Sequence, residues 1–196
     1  MKIHFLFFYF SIFFICSCGQ KEQTVVDKPK PSGNCTYSRN EKDPLGRQIR
    51  VVQDEKFISF SFADSTEKAG HSGDDFLKGY LSCVNVDTVL GIYFDFIINT
   101  ADAFQFYGMI KKNNKINFIL KSGKTVEVPF GQTFSGNTNL SNETTEYSSF
   151  AQISHAEAEQ LTSEELQRVI ISWSKKQEEY IAVNPAIFIN QIPCVK

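Results

Sequence analysis

The sequence Val-Leu-Gly-Ile-Tyr-Phe-Asp-Phe-Ile-Ile occupies residues 89–98 and indicates the fold class of this chain. Apolar side chains at every second position from Ile92 to Ile98 would share one face of an extended strand, with Tyr93 and Asp95 on the other face. A period of two residues is typical of a strand that buries one face only. We therefore predict a half-buried β-strand here.

Shorter segments on both sides of this strand are also predicted to be extended. The clearest hairpin has strands at residues 116–120 and 125–128, which are joined around Ser122-Gly123. Such a short connection containing glycine is a strong hairpin signal. The other predicted strands cover residues 48–52, 57–62, 76–86 and 104–110.

Three segments interrupt or end the series of strands. Residues 131–149 are rich in Ser, Thr and Asn, and a loop this long is either functional or disordered; we expect disorder. Ser154 and Glu157 match a capping box, which predicts a short helix. Asn184-Pro185 suits an N-cap followed by a first helical residue, so a last short helix is expected at 186–191.

Residues 166–174 fit two structures. Their apolar side chains occur at helical spacing, which would allow one long helix as far as Tyr180. The β-branched cluster at 169–171 favours a strand instead, and we expect the strand. The fold class predicted is mainly β (α+β), an antiparallel β-sandwich-like meander with one or two short C-terminal helices.

The N-terminus predicts export from the cytoplasm. Lys2 precedes an apolar stretch at residues 5–15 that only Ser11 interrupts, and this is the organisation of a secretory signal peptide. A helix that spans a bilayer needs about 20 apolar residues, so a spanning anchor fits less well. We predict a signal peptide over residues 1–17.

The residues at the end of this leader predict a lipid anchor. Ile15-Cys16-Ser17-Cys18 resembles the lipobox of bacterial lipoproteins, in which the last cysteine becomes the acylated N-terminus. The alternative is an ordinary signal peptide that happens to end in cysteines. We predict lipidation at Cys18 and a lipidated flexible tether over residues 18–33. Gly19 after that cysteine resembles lipoproteins that are sorted to an outer membrane.

The mature chain has the size and charge of one acidic domain. Removing residues 1–17 leaves 179 of the 196 residues, enough for one core, and we place a single β-rich domain at 34–196. Its formal charge is −3, since Lys2 leaves with the leader. An acidic balance without Lys/Arg clusters argues against nucleic acid as the partner.

Three cysteines, Cys35, Cys83 and Cys194, remain in that domain. An exported compartment permits disulfides, and three thiols allow one bridge and one leftover. We favour Cys35–Cys194, which would join the first and last parts of the domain, with Cys83 buried in a strand. Three unpaired thiols are the alternative.

No catalytic residue, metal site or cofactor is predicted. The mature chain has two histidines, His71 and His155, which excludes an HExxH zinc site and any site of three histidines. Spacing does not test a Ser–His–Asp triad, and its candidate would be His71 in the segment 70–75. That segment is typical of a solvated turn, and we expect His155 to face solvent on its helix.

Several structural residues spread over most of residues 35–196 carry a resemblance. They are Cys35 with Tyr37, the Asn40-x-x-Asp43 turn, the hairpin at 120–128, the segment 168–172 and Cys194. Together they resemble a group of uncharacterised Bacteroidota lipoproteins with mainly β domains. The resemblance implies an outer-membrane location, on the periplasmic face or at the cell surface, and it carries no catalytic motif.

The expected function is therefore binding. We expect a lipid-anchored, non-enzymatic protein of the cell envelope that binds a protein or glycan partner. Tyr93, Tyr107 and Trp173 are candidates for an exposed platform that stacks sugar rings, although most such residues belong to a core. The alternatives are a hydrolase with a dispersed site around His71 and an envelope inhibitor or immunity-type protein.

Overall fold

The structure, a computed structural model, describes residues 35–61 and 75–196. Within these two ranges the chain forms eleven strands and three short helices. The strands are β1 (Tyr37–Lys42), β2 (Gln48–Val52), β3 (Glu55–Phe60), β4 (Leu77–Val86), β5 (Val89–Ile98), β6 (Lys115–Leu120), β7 (Thr125–Pro129), β8 (Asn137–Asn139), β9 (Thr144–Gln152), β10 (Leu166–Ser172) and β11 (Gln177–Ile181). The helices are α1 (Ala103–Tyr107), α2 (His155–Ser163) and α3 (Ile187–Val195). The predicted leader (1–17), Cys18, the tether (18–33) and His71 lie outside the described residues.

The strands form two antiparallel sheets. The larger sheet has the order β1-β2-β4-β5-β9-β8, and the smaller one has the order β11-β10-β6-β7. β4 and β5 pair along their whole lengths, from Leu77 opposite Ile98 to Val86 opposite Val89. β3 also pairs with β4, next to β2 along the same edge. The mainly β, sandwich-like fold that the sequence predicted is confirmed.

Aromatic rings from both sheets fill the core. Phe94 of β5 lies 6.3 Å from Phe118 of β6 and 5.8 Å from Phe130, ring centre to ring centre. Helix α3 contributes Phe188, whose ring is 4.8 Å from that of Phe118. All four rings are buried. Because aromatic side chains each bury roughly 150–250 Å², they supply much of the contact that holds the sheets together.

The segments with the strongest patterns form the predicted elements. The hairpin of β6 and β7 is confirmed, and residues 166–172 form β10 rather than a helix. Helix α2 begins with the predicted capping box. The Ser154 hydroxyl accepts a hydrogen bond from the Glu157 N–H at 3.2 Å, and the Glu157 carboxylate accepts one from the Ser154 N–H at 2.6 Å.

The strand predicted at 104–110 is wrong. These residues form most of α1 and the turn that follows it, and Ile110 contributes only an isolated bridge to Phe134. Ala103 and Tyr107 are the buried residues of α1, and their separation of four residues is the helical period. Gly108, with a φ of 73°, ends the helix.

The disorder predicted at 131–149 is also wrong. The segment contains β8 and the first part of β9. Thr145, Tyr147 and Ser149 alternate inward and are buried, and the Thr145 hydroxyl donates to the Thr100 carbonyl at 2.8 Å. Polar side chains at two of these inward positions hide the alternation from an argument based on apolar residues.

Two further differences from the predicted structure concern the edge strands β1 and β11 and the residue at which helix α3 begins. β1 and β11 were not predicted, and β1 is almost wholly exposed. Helix α3 is present, but it begins at Ile187 after Ala186 and not at Asn184. The Asn184 side chain instead donates to the Glu55 carboxylate at 2.7 Å.

Candidate functional site

Cys35 and Cys194 form a disulfide, which confirms the predicted pairing. The sulfur atoms are 2.06 Å apart and the Cα atoms 5.6 Å apart. The bond fastens Cys35, two residues before β1, to helix α3. The Tyr37 hydroxyl reinforces this junction by donating to the Cys194 carbonyl at 2.8 Å.

Cys83 is an unpaired cysteine inside β4, and it is fully buried. Burial raises the pKa of its thiol well above the usual range, and the nearby Glu55 carboxylate acts in the same direction. Because the thiolate is the reactive form of cysteine, this thiol is inert. The expectation of a buried cysteine is confirmed.

The described residues do not gather the histidine and carboxylates into a reactive site. His155 is exposed on α2, as expected. Asp75 pairs with Lys56 at 3.4 Å and accepts a hydrogen bond from the Ser61 hydroxyl at 3.0 Å. Within residues 35–61 and 75–196, no group of three or more His, Cys, Asp and Glu side chains could hold a metal ion.

The platform proposed from Tyr93, Tyr107 and Trp173 does not form. Tyr107 and Trp173 are 2% and 4% exposed and pack against each other in the core, 5.0 Å between ring centres. Tyr93 is exposed, and its ring packs against Phe150 at 5.1 Å. The three rings therefore present no common surface.

A cleft of about 480 Å³ opens beside Tyr107, and we call it the aromatic cleft. Its lining consists of four aromatic side chains, one hydroxyl and two opposite charges. These residues are Phe60, Phe76, Thr100, Phe106, Tyr107, Lys176 and Glu178. Phe106 is 59% exposed and Phe60 is 38% exposed, so apolar rings are accessible at the surface of this cleft.

Two charged residues, one just before β11 and one within it, form one side of the aromatic cleft. Lys176, just before the strand, places its Nζ 3.7 Å from the centre of the Tyr107 ring. The same ammonium group pairs with the Glu178 carboxylate at 2.6 Å. The Tyr180 hydroxyl also donates to Glu178. One carboxylate thus holds a lysine and a tyrosine at the base of an aromatic wall.

The tyrosines of this cluster remain neutral. Burial, and secondarily the Glu178 carboxylate, raises the pKa of both Tyr107 and Tyr180 well above the usual range. A tyrosine hydroxyl is already protonated at physiological pH, and the raised pKa keeps both hydroxyls protonated at more alkaline pH. Glu178 is therefore engaged by two donors of the protein itself, the Lys176 ammonium group and the Tyr180 hydroxyl.

The two walls of the cleft are fastened to each other through Gly108 and Ser174. The Ser174 hydroxyl accepts a hydrogen bond from the Met109 N–H at 2.9 Å. The Tyr147 hydroxyl donates to the Gly108 carbonyl at 2.9 Å. A Cβ atom on Gly108 would lie 2.1 Å from the Ser174 Oγ, so only glycine allows α1 to approach the β10–β11 turn this closely.

A second, smaller cleft of about 320 Å³ lies at another place on the domain. It is lined mainly by polar residues, namely Asn85, Asp87, Thr88, Leu90, His155 and Lys196. Asp87 occupies a positive φ of 59° in the turn between β4 and β5. This cleft lacks the aromatic walls of the first one, so we place the candidate site at the aromatic cleft.

Sequence reasoning singled out Tyr107 but missed the other residues of the aromatic cleft. Lys176, Glu178 and Tyr180 recur at every second position, which is the period of a strand with these side chains on one face. That period was the available signal for β11. The facing Phe60, Phe76 and Phe106 come from distant segments, and the sequence gives no sign that they meet.

Among the described residues, no helix has both the length and the apolar content needed to cross a bilayer. Comparisons of the chain with protein-family models, with curated proteins and with solved structures find no match.

Proposed function

We propose that this protein is a lipid-anchored, non-enzymatic component of the cell envelope that binds a protein partner through the aromatic cleft. The observation that carries the binding proposal is the aromatic cleft itself. Phe106 is 59% exposed beside a cavity with three further aromatic residues in its lining. Large rings at the surface next to a concave site are typical of places where a partner inserts a side chain.

The chemistry of the lining favours a protein over a glycan. A glycan presents many hydroxyl groups, which need several polar side chains as partners. The aromatic cleft offers phenylalanine rings, one threonine hydroxyl and a charged pair that is already bonded internally. A peptide segment with an apolar or amphipathic side chain matches this composition better. An inhibitor of an envelope enzyme is one form that such a binding protein takes.

The proposed location at a membrane rests on the N-terminal sequence. Residues 15–18 fit a lipobox and residues 5–15 fit an export signal, and multiple acyl chains would anchor the protein stably in a membrane. The fifteen residues from Gly19 to Gly33 would reach about 50 Å when extended. A tether of this reach would leave the domain free to meet a partner away from the lipid surface.

The anchor is tested by Cys18→Ala, with Cys16→Ala as the matched control because Cys16 would leave with the leader. We expect acylation of the mature N-terminus by mass spectrometry, and loss of membrane retention in Cys18→Ala only. An unmodified mature N-terminus, or membrane retention of the Cys18→Ala variant, would contradict lipidation.

The binding site is tested by a photocrosslinking amino acid at position 106 of the full chain in intact cells. Position 140 is the control, since Leu140 is an exposed apolar residue in the β8–β9 turn and does not line the cleft. We expect a discrete protein adduct from position 106 and none from position 140. Equal adducts from both positions would contradict the proposal. A glycan panel bound by the wild type but not by Phe106→Ser would reassign the cleft to carbohydrate.

A further inference from the structure

We infer that the aromatic cleft receives a lysine or arginine side chain of the partner, and that Lys176 occupies this place in the free protein. This inference rests on the proposed binding function and specifies the chemical group that is bound. Lys176 Nζ lies 3.7 Å from the Tyr107 ring centre and 2.6 Å from the Glu178 carboxylate. An aromatic face beside a carboxylate is the chemistry that proteins use to hold organic cations.

Lys176 covers the Tyr107 ring on the side of the cleft, and Trp173 packs against the same ring in the core. The Tyr107 side chain is only 2% exposed, and the ammonium group of Lys176 lies over its ring. Lys176 itself is 33% exposed and belongs to the turn that joins β10 to β11. Lysine side chains are long and flexible, so an incoming cation can replace this one without unfolding a strand.

The space beside the pair is large enough for a partner side chain. The cleft volume of about 480 Å³ falls within the range of about 300–1,000 Å³ that is typical of ligand sites. Phe60 and Tyr180 lie 6.3 Å apart, ring centre to ring centre, next to Glu178. The aliphatic stem of a lysine or arginine would contact rings while its charged end reaches the carboxylate.

Because Lys176 competes with the incoming cation, removing Lys176 should increase the affinity of the site for an external cation. Lys176→Met removes the internal occupant and its positive charge, so the site should bind an external cation more tightly. Glu178→Gln keeps the shape of the side chain but removes the negative charge, so binding should weaken. A purely structural Lys176 would not produce an increase in affinity.

Trp173 provides the readout because it is the single tryptophan of the chain and its ring lies 5.0 Å from that of Tyr107. The full chain, held in nonionic detergent, is titrated with acetyl-Gly-Lys-Gly-amide. The matched neutral peptide contains norleucine in place of lysine. We expect the lysine peptide alone to change the fluorescence, with affinity about tenfold higher in Lys176→Met and about tenfold lower in Glu178→Gln.

Glu179→Gln is the control variant, since Glu179 pairs with Arg168 at 2.7 Å and does not line the cleft. It should bind the lysine peptide as the wild type does. Near-ultraviolet circular dichroism checks that each variant keeps its core. If Lys176→Met does not fold, the inference is tested by the loss of affinity in Glu178→Gln, which conserves the shape of the side chain.

Three binding results would overturn the inference, in addition to a silent peptide titration. They are equal binding of the norleucine peptide, no gain of affinity in Lys176→Met, and binding of soluble phosphocholine without binding of the lysine peptide. The last result would assign the cleft to a lipid headgroup. If crosslinking from position 106 persists while the peptide titration is silent, the proposed function stands and the cation inference fails.

Discussion

The side chain of Gln191 accepts a hydrogen bond from the backbone N–H of Cys83, with 2.9 Å between Oε1 and N. The pairing of β3 with β4 ends at Leu81 and that of β2 begins at Val84, so Cys83 lies at the gap between two neighbours. A side chain of helix α3 thus completes the hydrogen bonding of the sheet. Its amide nitrogen also donates to the Glu55 carboxylate at 3.1 Å.

Gln191→Leu should therefore destabilise the fold. The substitution leaves a buried backbone N–H without a partner, and such a loss costs about 1–3 kcal/mol. Urea unfolding measures the change. Gln167→Leu, at an exposed position of β10, is the control and should change the free energy of unfolding by less than about 0.5 kcal/mol. Equal unfolding midpoints for the two variants would show that the bond contributes nothing.

Removing the disulfide should lower the free energy of unfolding more than Gln191→Leu does. Cys35 and Cys194 are 159 residues apart, and in the chain-entropy model a closed loop of this length stabilises by about 5 kcal/mol. The double variant Cys35→Ser/Cys194→Ser should unfold at a lower urea concentration than the oxidised wild type. A reductant should bring the wild type to the same midpoint and leave the variant unchanged. If the reductant still lowers the unfolding midpoint of the double variant, the change does not come from this disulfide.

The elements that sequence patterns predicted are those that bury one apolar face. β5 and β7 bury apolar side chains at alternate positions, and β4 and β6 bury longer runs of mainly apolar side chains. β1 is almost wholly exposed and β8 is exposed throughout, so nothing in their side chains records their pairing. The backbone of a neighbouring strand holds them, and this contact leaves no periodic signal.

The candidate site was predicted even less fully, for a different physical reason. Tyr107 was recognised as a candidate, but it packs against its expected partner Trp173 inside the core, and Tyr93 packs against Phe150 instead. Its actual partners, Lys176 and Glu178, reach it only because Gly108 and Ser174 bring α1 against the β10–β11 turn. Such long-range proximity depends on the fold, and a single sequence does not contain it.

The protein should lose stability at alkaline pH. Burial raises the pKa of Tyr147 to about 12, above the value of about 10 in an unfolded chain. The neutral hydroxyl therefore contributes stability that is complete below about pH 10 and is lost as the pH rises from 10 to 12. Burial also raises the pKa of Tyr107 and Tyr180, so these residues add to the loss.

Tyr147→Phe isolates one part of this pH dependence. At pH 8 the variant should be less stable by about 1–3 kcal/mol, because the Gly108 carbonyl loses its donor. Between pH 10 and 12 its free energy of unfolding should fall less steeply than that of the wild type, by about 1–3 kcal/mol in total. Urea titrations at several pH values measure both effects. Tyr93→Phe, on an exposed ring, is the control, and parallel alkaline slopes for Tyr147→Phe and wild type would contradict the assignment.

Gly108→Ala should damage both stability and the aromatic cleft. The residue has a φ of 73°, and its new Cβ would lie 2.1 Å from the Ser174 Oγ. Gly123→Ala is a matched control because Gly123 has a φ of 85° with no atom within 4 Å of the added Cβ. Backbone strain alone should cost each variant about 1–3 kcal/mol, and the clash should make Gly108→Ala the less stable of the two.

Ser174→Ala combined with Gly108→Ala separates the clash from the strain. Removing the hydroxyl relieves the contact, so the double variant should be more stable than the sum of the single effects predicts, by about 0.5–3 kcal/mol. Urea unfolding of all four proteins closes this cycle. If the two effects simply add, then α1 shifts to accept the methyl group, and the close approach of Gly108 to the β10–β11 turn is not what holds the cleft together.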